Sequence, residues 1–594
     1  MSKPASATSP DRWKWRFCLW VILGVAAALR LWRLGLPSLW FDEAVVAMAA
    51  KLPVRAVFER VFLSDFHPPF YYLLTKLVML AGTSDFVLRL PSALFGVAGV
   101  WLGWRAGREL VSPLVGLAMA AVCAVLPWHV LLSRQLRPYS LIFFFCLLSL
   151  IFLIRTVRNG RVRDAALAGL SLWPCLFLHY ASLLAAGGAG CVLICAMAAR
   201  RTGWRHLLVF GVLAVVPVAV NLPFLLASLG HEQGLAGAHD RLRLALLCLE
   251  KLGDLLFREP VAWARPALAV LALTGLAGLW RRDRVVALVS LGWVVFPLLA
   301  LVAVDYDSYF NPWHLMFLMP VAALWLACAV SLAPWPGLPV ILCLAAAGLY
   351  VTKGVPYYYS ETSYGGDAKV QARRIAAGHG PGTAYVYPQS AVVGPINWYL
   401  DQSPAPNPLR AQSLGPEDQA VRLVIPGENT EPRVLKRNPV IAMGSLPFYY
   451  HVSAAPDDFL AQVHDMRYVA CQPVLENVLI ATEAGQTGQA EFTFQNSRDV
   501  PQAITVHFGY WNHLPGNRFA VFCRFDDEPW AGSFESQGPD GRGHEKIEIS
   551  HRTPYRFLTV RFELMRDGRS PAFTGEDIQA VRLIDFKVQA VPLE

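Results

Sequence analysis

The sequence predicts a polytopic α-helical membrane domain of about 11 helices. An extracytoplasmic part follows, mixed α/β at first and then an all-β sandwich. Three observations carry this. Hydrophobic residues make up 55% of the 594-residue chain and charged residues only 16%, with a positive mean hydropathy that a water-soluble protein of this size rarely tolerates. The apolar residues come in runs of roughly 20, the length a helix needs to cross a bilayer core. From about residue 475 the pattern changes to short alternating segments separated by turn residues.

The first apolar run follows a short basic N-terminus (Lys3, Arg12, Lys14, Arg16). No small-residue cleavage site follows it, so it reads as an uncleaved first helix. The spans predicted are 17–36, 87–107, 113–132, 138–156, 164–180, 182–199, 206–227, 262–280, 285–304, 312–331 and 337–353. A cytoplasmic N-terminus puts the even-numbered links inside. Four of those five carry arginines: Arg105 and Arg108; Arg155, Arg158, Arg161 and Arg163; Arg200, Arg201 and Arg205; Arg281, Arg282 and Arg284. That is the positive-inside pattern, and the net charge of +9 resides in these links rather than in a nucleic-acid patch. An odd number of spans places the rest of the chain outside. Two external loops carry helical patterns read as interfacial: "HPPFYYLLTKLVMLAG" (67–82), with Tyr71 and Tyr72 at headgroup depth, and the stretch from about 229 to 260.

The domains expected are therefore 1–354 (membrane), 355–472 (external α/β) and 473–594 (external sandwich). In the α/β part, "DAKVQARRIAAG" and "VGPINWYL" read as helices, "TAYVYP" and "PVIAMG" as strands. In the sandwich the strands are "QAEFTFQN", "AITVHFGYW", "RFAVFCRF", "EKIEIS", "FLTVRFELM" and "VRLIDFKVQA". Most of the eleven cysteines lie in apolar runs as small hydrophobes. Cys471 and Cys523 lie in the external part, where an oxidising compartment permits a disulfide.

The polar residues at the external ends of the helices are the candidates for chemistry. Asp42 and Glu43 follow Trp40 and Phe41 directly after the first helix. A solvated juxtamembrane pair is the plain alternative, but acids in an apolar interface tend to be functional. A carboxylate there suits a general base. Neighbours on a helix point about 100° apart, so Asp42 is assigned to the reaction and Glu43 to positioning. His67 opens the "HPP" element, as a turn residue or as a site group. Arg134 and Arg137, in "SRQLRPYS", lie outside against the charge trend. They snorkel to the interface, or they form a guanidinium pair for a phosphate or pyrophosphate, with Tyr139 on the same group. His179 and Tyr180 end the fifth helix outside. Asp305, Asp307 and His314 lie between the ninth and tenth.

Together these motifs resemble the membrane-embedded glycosyltransferases of GT-C fold that use polyprenyl-phosphate sugars. The match is to the protein O-mannosyltransferase and lipid A aminoarabinose transferase group. It rests on "LWFDEA", "HPPFYYLL", "FVLRLPSALFGVAGV", "SRQLRPYSL", "WHLMFLMPVAALWLA" and "INWYLD", and covers about 1–400. The resemblance implies an inverting hexosyl or pentosyl transfer from a polyprenyl-phosphate sugar to an external hydroxyl, on protein, lipid or polysaccharide. Asp42 would be the base, and Arg134 or Arg137 would stabilise the departing phosphate. One departure stands out. Relatives often carry an arginine where this chain has Trp313 before His314, so a phosphate contact is missing there. No cofactor is implied. The acids are able to hold a divalent metal through oxygen ligands, but the transfer needs none in principle. The partners expected are the lipid-linked donor, the acceptor and membrane lipids, with no nucleic acid.

Three other readings stay open. One is a polymerase or ligase using pyrophosphate-linked glycans. The others are an envelope transporter and a glycan-binding scaffold in which Tyr510, Trp511 and Trp530 stack on sugar. "FDDEPW" reads as an exposed turn or a calcium loop.

Overall fold

The computed structural model describes residues 12–64, 67–231, 250, 264–304, 312–353, 359–361, 366–380, 382–386, 390–427, 432–451, 456–471, 479–482, 485–498, 500–512, 515–567 and 581–593. They fall into two compact units. One comprises the chain up to Pro37 together with Val57–Ser363. The other comprises Ser38–Ala56 together with Tyr364–Glu594.

The first unit is helical. Its helices are α1 (Arg12–Leu31), α3 (Val54–Ser64, mostly in this unit), α4 (Phe70–Val78), α5 (Asp85–Leu110), α6 (Pro113–Val125) and α7 (Pro127–Leu132). Then come α8 (Tyr139–Asn159), α9 (Val162–Leu178), α10 (Ser182–Ala198), α11 (Trp204–His231), α12 (Ala264–Arg282), α13 (Arg284–Val304), α14 (Met319–Val330) and α15 (Leu338–Lys353). Helix α2 (Phe41–Lys51) belongs to the second unit. Each predicted span is occupied by helix over most of its described length. Two are interrupted. Pro127 has no N–H to continue α6, so the chain breaks at Leu126 and restarts with the proline at N1. The tenth span opens as a 3₁₀ helix, Pro312–Leu318, before α14. Most of the loop from 229 to 260 lies outside the described residues, as do Asp305 and Asp307.

Five segments are long and apolar enough to cross a membrane: Asp85–Leu110, Tyr139–Asn159, Trp204–Ser228, Arg284–Val302 and Trp313–Val330. Outward-pointing Trp20, Val215, Leu226, Leu273, Leu299 and Leu349 are each at least 60% exposed. Such an apolar exterior matches lipid, and the chain is a multi-pass membrane protein. Inside the unit, helices touch through small residues, as they do in membranes. A Cβ on Gly107 or on Gly116 would fall 2.7 Å from a carbonyl oxygen of the other helix. The arginine-rich links meet one another: Arg155 pairs with Glu109 at 2.5 Å, and Arg158 with Asp283 at 2.6 Å.

In the second unit, α16 (Ala368–Gly378) and α17 (Ser390–Leu400) accompany a small sheet of β1 (Thr383–Tyr385), β3 (Ala420–Val424) and β4 (Arg433–Lys436). The remaining strands form two sheets. One has the order β13 (Gly532–Gln537), β12 (Arg518–Phe525), β15 (Phe557–Met565), β10 (Thr487–Asn496), β7 (Asp465–Arg467), β2 (Ser413–Leu414). The other has the order β14 (Gly541–His551), β11 (Gln502–Asn512), β16 (Arg582–Pro592), β9 (Leu479–Ala481), β8 (Val469–Cys471). The strands predicted from 475 onward are all present. Pairing runs across residue 472: β5 (Val440–Met443) joins β10 in parallel, and β6 (Phe448–His451) joins β16. The sheets pack face to face. Phe586 of one sheet has its ring centroid 5.1 Å from Phe492 and 4.8 Å from Phe562 of the other.

Cys471 and Cys523 are both buried free thiols, so the disulfide considered from the sequence is not formed. Burial raises both pKa values, Cys523 to about 12. At pH 8 each should therefore stay a protonated, unreactive thiol. Maleimide labelling followed by peptide mass spectrometry should find both unmodified in the native protein and modified after denaturation.

Candidate functional site

Four chain segments that the sequence analysis expected at external helix ends meet in the helical unit. His67 stands before Pro68 and Pro69, and Pro69 is the N-cap of α4. Arg137 lies in the turn before α8, which Pro138 caps and Tyr139 opens. His179 is the C-cap residue of α9, its N–H donating to Cys175 O at 3.0 Å. His314 sits in the 3₁₀ helix ahead of α14. Arg137, Tyr139 and His179 are buried.

The Arg137 guanidinium donates from Nη2 to His67 Nε2 at 3.2 Å and to Tyr139 Oη at 3.4 Å. Its backbone carbonyl accepts from Ser92 Oγ at 3.0 Å. The His179 ring is the hub. Its centroid lies 5.5 Å from that of His67, 5.6 Å from Tyr139 and 5.3 Å from His314. Tyr180, half-buried, follows in the turn, where its carbonyl accepts from Leu183 N–H at 2.9 Å.

These contacts assign protons. Arginine is only ever a donor, so His67 Nε2 accepts and its proton is on Nδ1. His179 Nδ1 accepts from Ala181 N–H at 3.1 Å, so its proton is on Nε2. That Nε2 is buried and has no hydrogen-bond partner among the described residues. A guanidinium, an imidazole N–H aimed at no protein acceptor and a phenol make a donor-rich cluster, which is the chemistry of an anion site.

Arg134 serves a different end. Its Nη1 donates to the carbonyls of Leu29, Arg30 and Trp32 at 3.1, 3.0 and 2.9 Å, and Nη2 donates to Arg33 O at 3.3 Å. Its guanidinium also lies 4.3 Å from the centre of the Tyr359 ring. It caps the end of α1, whereas the sequence expected Arg134 or Arg137 to meet the phosphate. Ser92, in contrast, drew no attention as a site residue. Its only sequence signal was its place in "RLPSALFGV".

In the second unit, Asp42 and Glu43 stand in the first turn of α2. Acids there complement the helix dipole. Glu43 is fully buried, and its Oε2 accepts from Trp40 N–H at 3.2 Å, closing the helix entrance. Asp42 is half-buried.

The sandwich aromatics offer little for sugar stacking. Tyr510 is buried, stacked on Phe519 at 5.0 Å, and its hydroxyl donates to Asp540 at 2.8 Å. Trp511 is covered by Arg582 at 5.1 Å, and Trp530 is flanked by Arg561 at 4.6 Å and Arg524 at 5.0 Å. In "FDDEPW", the Asp526 carboxylate accepts from Arg556 and Phe557 N–H groups, the nearest at 2.7 Å. No group of three or more His, Cys, Asp or Glu able to hold a metal occurs among the described residues.

Residues 66–224 match the family model described as dolichyl-phosphate-mannose-protein mannosyltransferase. That segment contains His67, Arg134, Arg137, Tyr139, His179 and Tyr180, but neither Asp42 and Glu43 nor His314. No curated protein matches the chain. Among solved structures, the chain is similar to ArnT from Cupriavidus metallidurans in the apo state. The two are 14% identical over 66% of this chain and 85% of that one, with a TM-score of 0.42. The same protein bound to undecaprenyl phosphate gives 13%, equal coverage and 0.40. The S. cerevisiae protein O-mannosyltransferase Pmt1-Pmt2 complex bound to the sugar donor gives 18%, over 42% of this chain and 34% of that one, and 0.26. Through residues 66–224 the chain resembles a glycosyltransferase family, as its motifs implied.

Replacing Arg134 removes a donor from four carbonyls, of which Leu29 O keeps the Tyr359 hydroxyl at 3.0 Å and Arg33 O keeps Leu36 N–H at 3.1 Å. Charge-assisted hydrogen bonds contribute about 1.5–3 kcal/mol each and do not add fully. Arg134→Met should therefore cost roughly 3 kcal/mol or more, read as a fall of several degrees in Tm of the detergent-solubilised protein. An unchanged Tm would remove the capping role.

Proposed function

We propose that the protein is an inverting glycosyltransferase. It moves a sugar from a polyprenyl-phosphate donor to an acceptor hydroxyl at the outer face of the cytoplasmic membrane. The observation that carries this reading is the donor-rich cluster of Arg137, His179 and Tyr139, inside the segment that resembles a lipid-phosphate-sugar transferase family.

Arg137 and the His179 Nε2–H hold the donor phosphate. The carboxylate of Asp42 takes the proton of the acceptor hydroxyl. The acceptor oxygen attacks the anomeric carbon from the face opposite the phosphate. The bond from that carbon to the phosphate oxygen breaks, and the electron pair leaves with the phosphate. The charge that develops there is met by preorganised donors in a site poor in water, where such contacts are worth most. Glu43 holds the helix that carries Asp42.

Two observations support the membrane face. The arginine-rich links predicted to be cytoplasmic touch one another through the Arg155–Glu109 and Arg158–Asp283 pairs. The residues predicted to be external, His67, Arg137, His179 and His314, form a second cluster. Segments that touch share a side. On this reading the C-terminal part is periplasmic and the membrane is the bacterial inner membrane.

The test is mass spectrometry of lipids that co-purify with the protein, on wild type, Arg137→Ala and Asp42→Asn. A polyprenyl-phosphate sugar is expected with the wild type. Arg137→Ala should reduce it about tenfold or more, the loss of one charged contact of 1.5–3 kcal/mol. Asp42→Asn should retain the lipid and lose transfer by roughly 10²–10⁴-fold, the usual contribution of a general base. Full transfer by Asp42→Asn would remove it as the base. A pyrophosphate-linked glycan in place of the monophosphate would replace this reading with a polymerase or ligase.

A further inference from the structure

We infer that the C-terminal unit positions the acidic helix: two successive aromatic residues of α17, Trp398 and Tyr399, hold the two ends of α2. The inference rests on the reading of Asp42 as the base, and extends it to residues some 360 positions away in sequence.

Helix α2 directly follows the first membrane helix in the chain, yet its contacts group it with the C-terminal unit. The two sequence motifs "LWFDEA" (39–44) and "INWYLD" (396–401) meet there. Leu39 N–H donates to Tyr399 Oη at 2.6 Å, just ahead of the N-cap residue Trp40. At the other end, Lys51, the last residue of α2, sets its ammonium 4.2 Å from the centre of the Trp398 ring. The approach to the helix is tied as well. Lys369 N–H, at the start of α16, donates to Ser38 Oγ at 3.1 Å. Between these ties α2 buries Glu43, Ala44 and Val46 to Ala50.

The arrangement fixes both the position and the rotation of α2. Ser38 and Leu39 are fully buried, so their backbone has no water to fall back on. Without the Tyr399 hydroxyl the Leu39 N–H is left with no acceptor, a strongly disfavoured state for a buried amide. Asp42 lies in the turn that this bond anchors, three residues on. The Glu43–Trp40 bond shapes the first turn from within, but it cannot fix where that turn sits. Tyr399 and Ser38 do that. Tyr399 is therefore a positioning residue that acts through α2.

Tyr399→Phe removes one oxygen and keeps the ring. Ser38→Ala removes the second tie by an independent route. Both are made in the full-length protein in detergent, beside wild type. Hydrogen exchange of the peptide spanning 36–46 reads position. Transfer kinetics with a polyprenyl-phosphate sugar read function. Each variant should speed exchange of the Leu39 amide about tenfold or more while peptides of the sandwich core stay protected. Each should lower kcat by roughly tenfold at unchanged donor KM, because misplacement of a reacting group costs rate rather than affinity. Unchanged exchange in both variants overturns the inference. Faster exchange with unchanged kcat also overturns it, since α2 would then be held there for no catalytic purpose. A wild-type protein that transfers no sugar, while Tyr399→Phe still frees α2, retains the tie and instead refutes the proposed reaction.

Discussion

A helix that ends among apolar neighbours needs donors for its last carbonyls, and α1 obtains them from arginines. In a bilayer there is no water to take that role. Arg134 supplies Leu29, Arg30, Trp32 and Arg33. Arg30 reaches across to the carbonyls of Cys123 and Ala124, both at 3.0 Å, where α6 itself ends. Arg89 donates to Leu34 O at 3.1 Å and Pro37 O at 2.8 Å. All three guanidiniums are fully buried. A buried charge is tolerable only when its hydrogen bonds are made, so each cation and the carbonyls it serves require one another. Arg33 adopts a left-handed φ of +52°, which a side chain of its size rarely takes. The bonds from Arg134 around it hold that turn in place. The chain therefore leaves α1 through a turn whose carbonyls are held by buried guanidiniums.

Within the second unit the same logic works with fewer charges. The α2 segment is a short helix of eleven residues, and such a helix is marginal alone. It is held by burial of its alanine-rich face, by an acid at its own entrance and by the aromatic pair of α17. The sandwich below contributes rigidity. Its two sheets lock through Phe492, Phe562 and Phe586, and strands from 413–471 extend both sheets beyond the segment that reads as a sandwich in sequence. An α/β segment woven into the sheets cannot tilt independently of them. Whatever α16 and α17 hold is therefore held by the whole unit.

The elements were largely legible in the sequence because each depends on local pattern. Apolar runs gave the helices, and period-two alternation gave the strands at 489–496, 503–511, 518–525 and 557–565. Even the break at Pro127 has a local cause, a missing N–H inside a continuous apolar run. The division of labour between Arg134 and Arg137 was not legible. The two stand three residues apart in "SRQLRPYS", share chemistry and flank one turn. Which guanidinium meets α1 and which meets His67 is decided by tertiary packing. The same holds for Tyr399, whose partner is the Leu39 amide, and for Tyr510, whose alternation in β11 turns it into the core instead of toward a sugar. Cys471 and Cys523 looked available for pairing only because a sequence cannot show that each sits apart, packed as a hydrophobe.

The arrangement around His179 is where local detail carries the most chemistry. A neutral imidazole is both donor and acceptor, and by itself it does not favour an anion over a cation. Here the acceptor nitrogen is occupied by the Ala181 amide, so only the donor remains. The Arg137–His67 contact occupies the acceptor nitrogen of the second ring in the same way. Two residues that were ambiguous in sequence become donors, and both do so through contacts to groups that cannot act as acceptors. A site built this way has a fixed sign without needing a second arginine. That matters for the position where Trp313 stands in place of the arginine common among the proteins this chain resembles. On the proposed reading, the contact absent at Trp313 would be supplied by the His179 N–H, whose orientation is set by the Ala181 amide and by the rings of Tyr139, His67 and His314 around it.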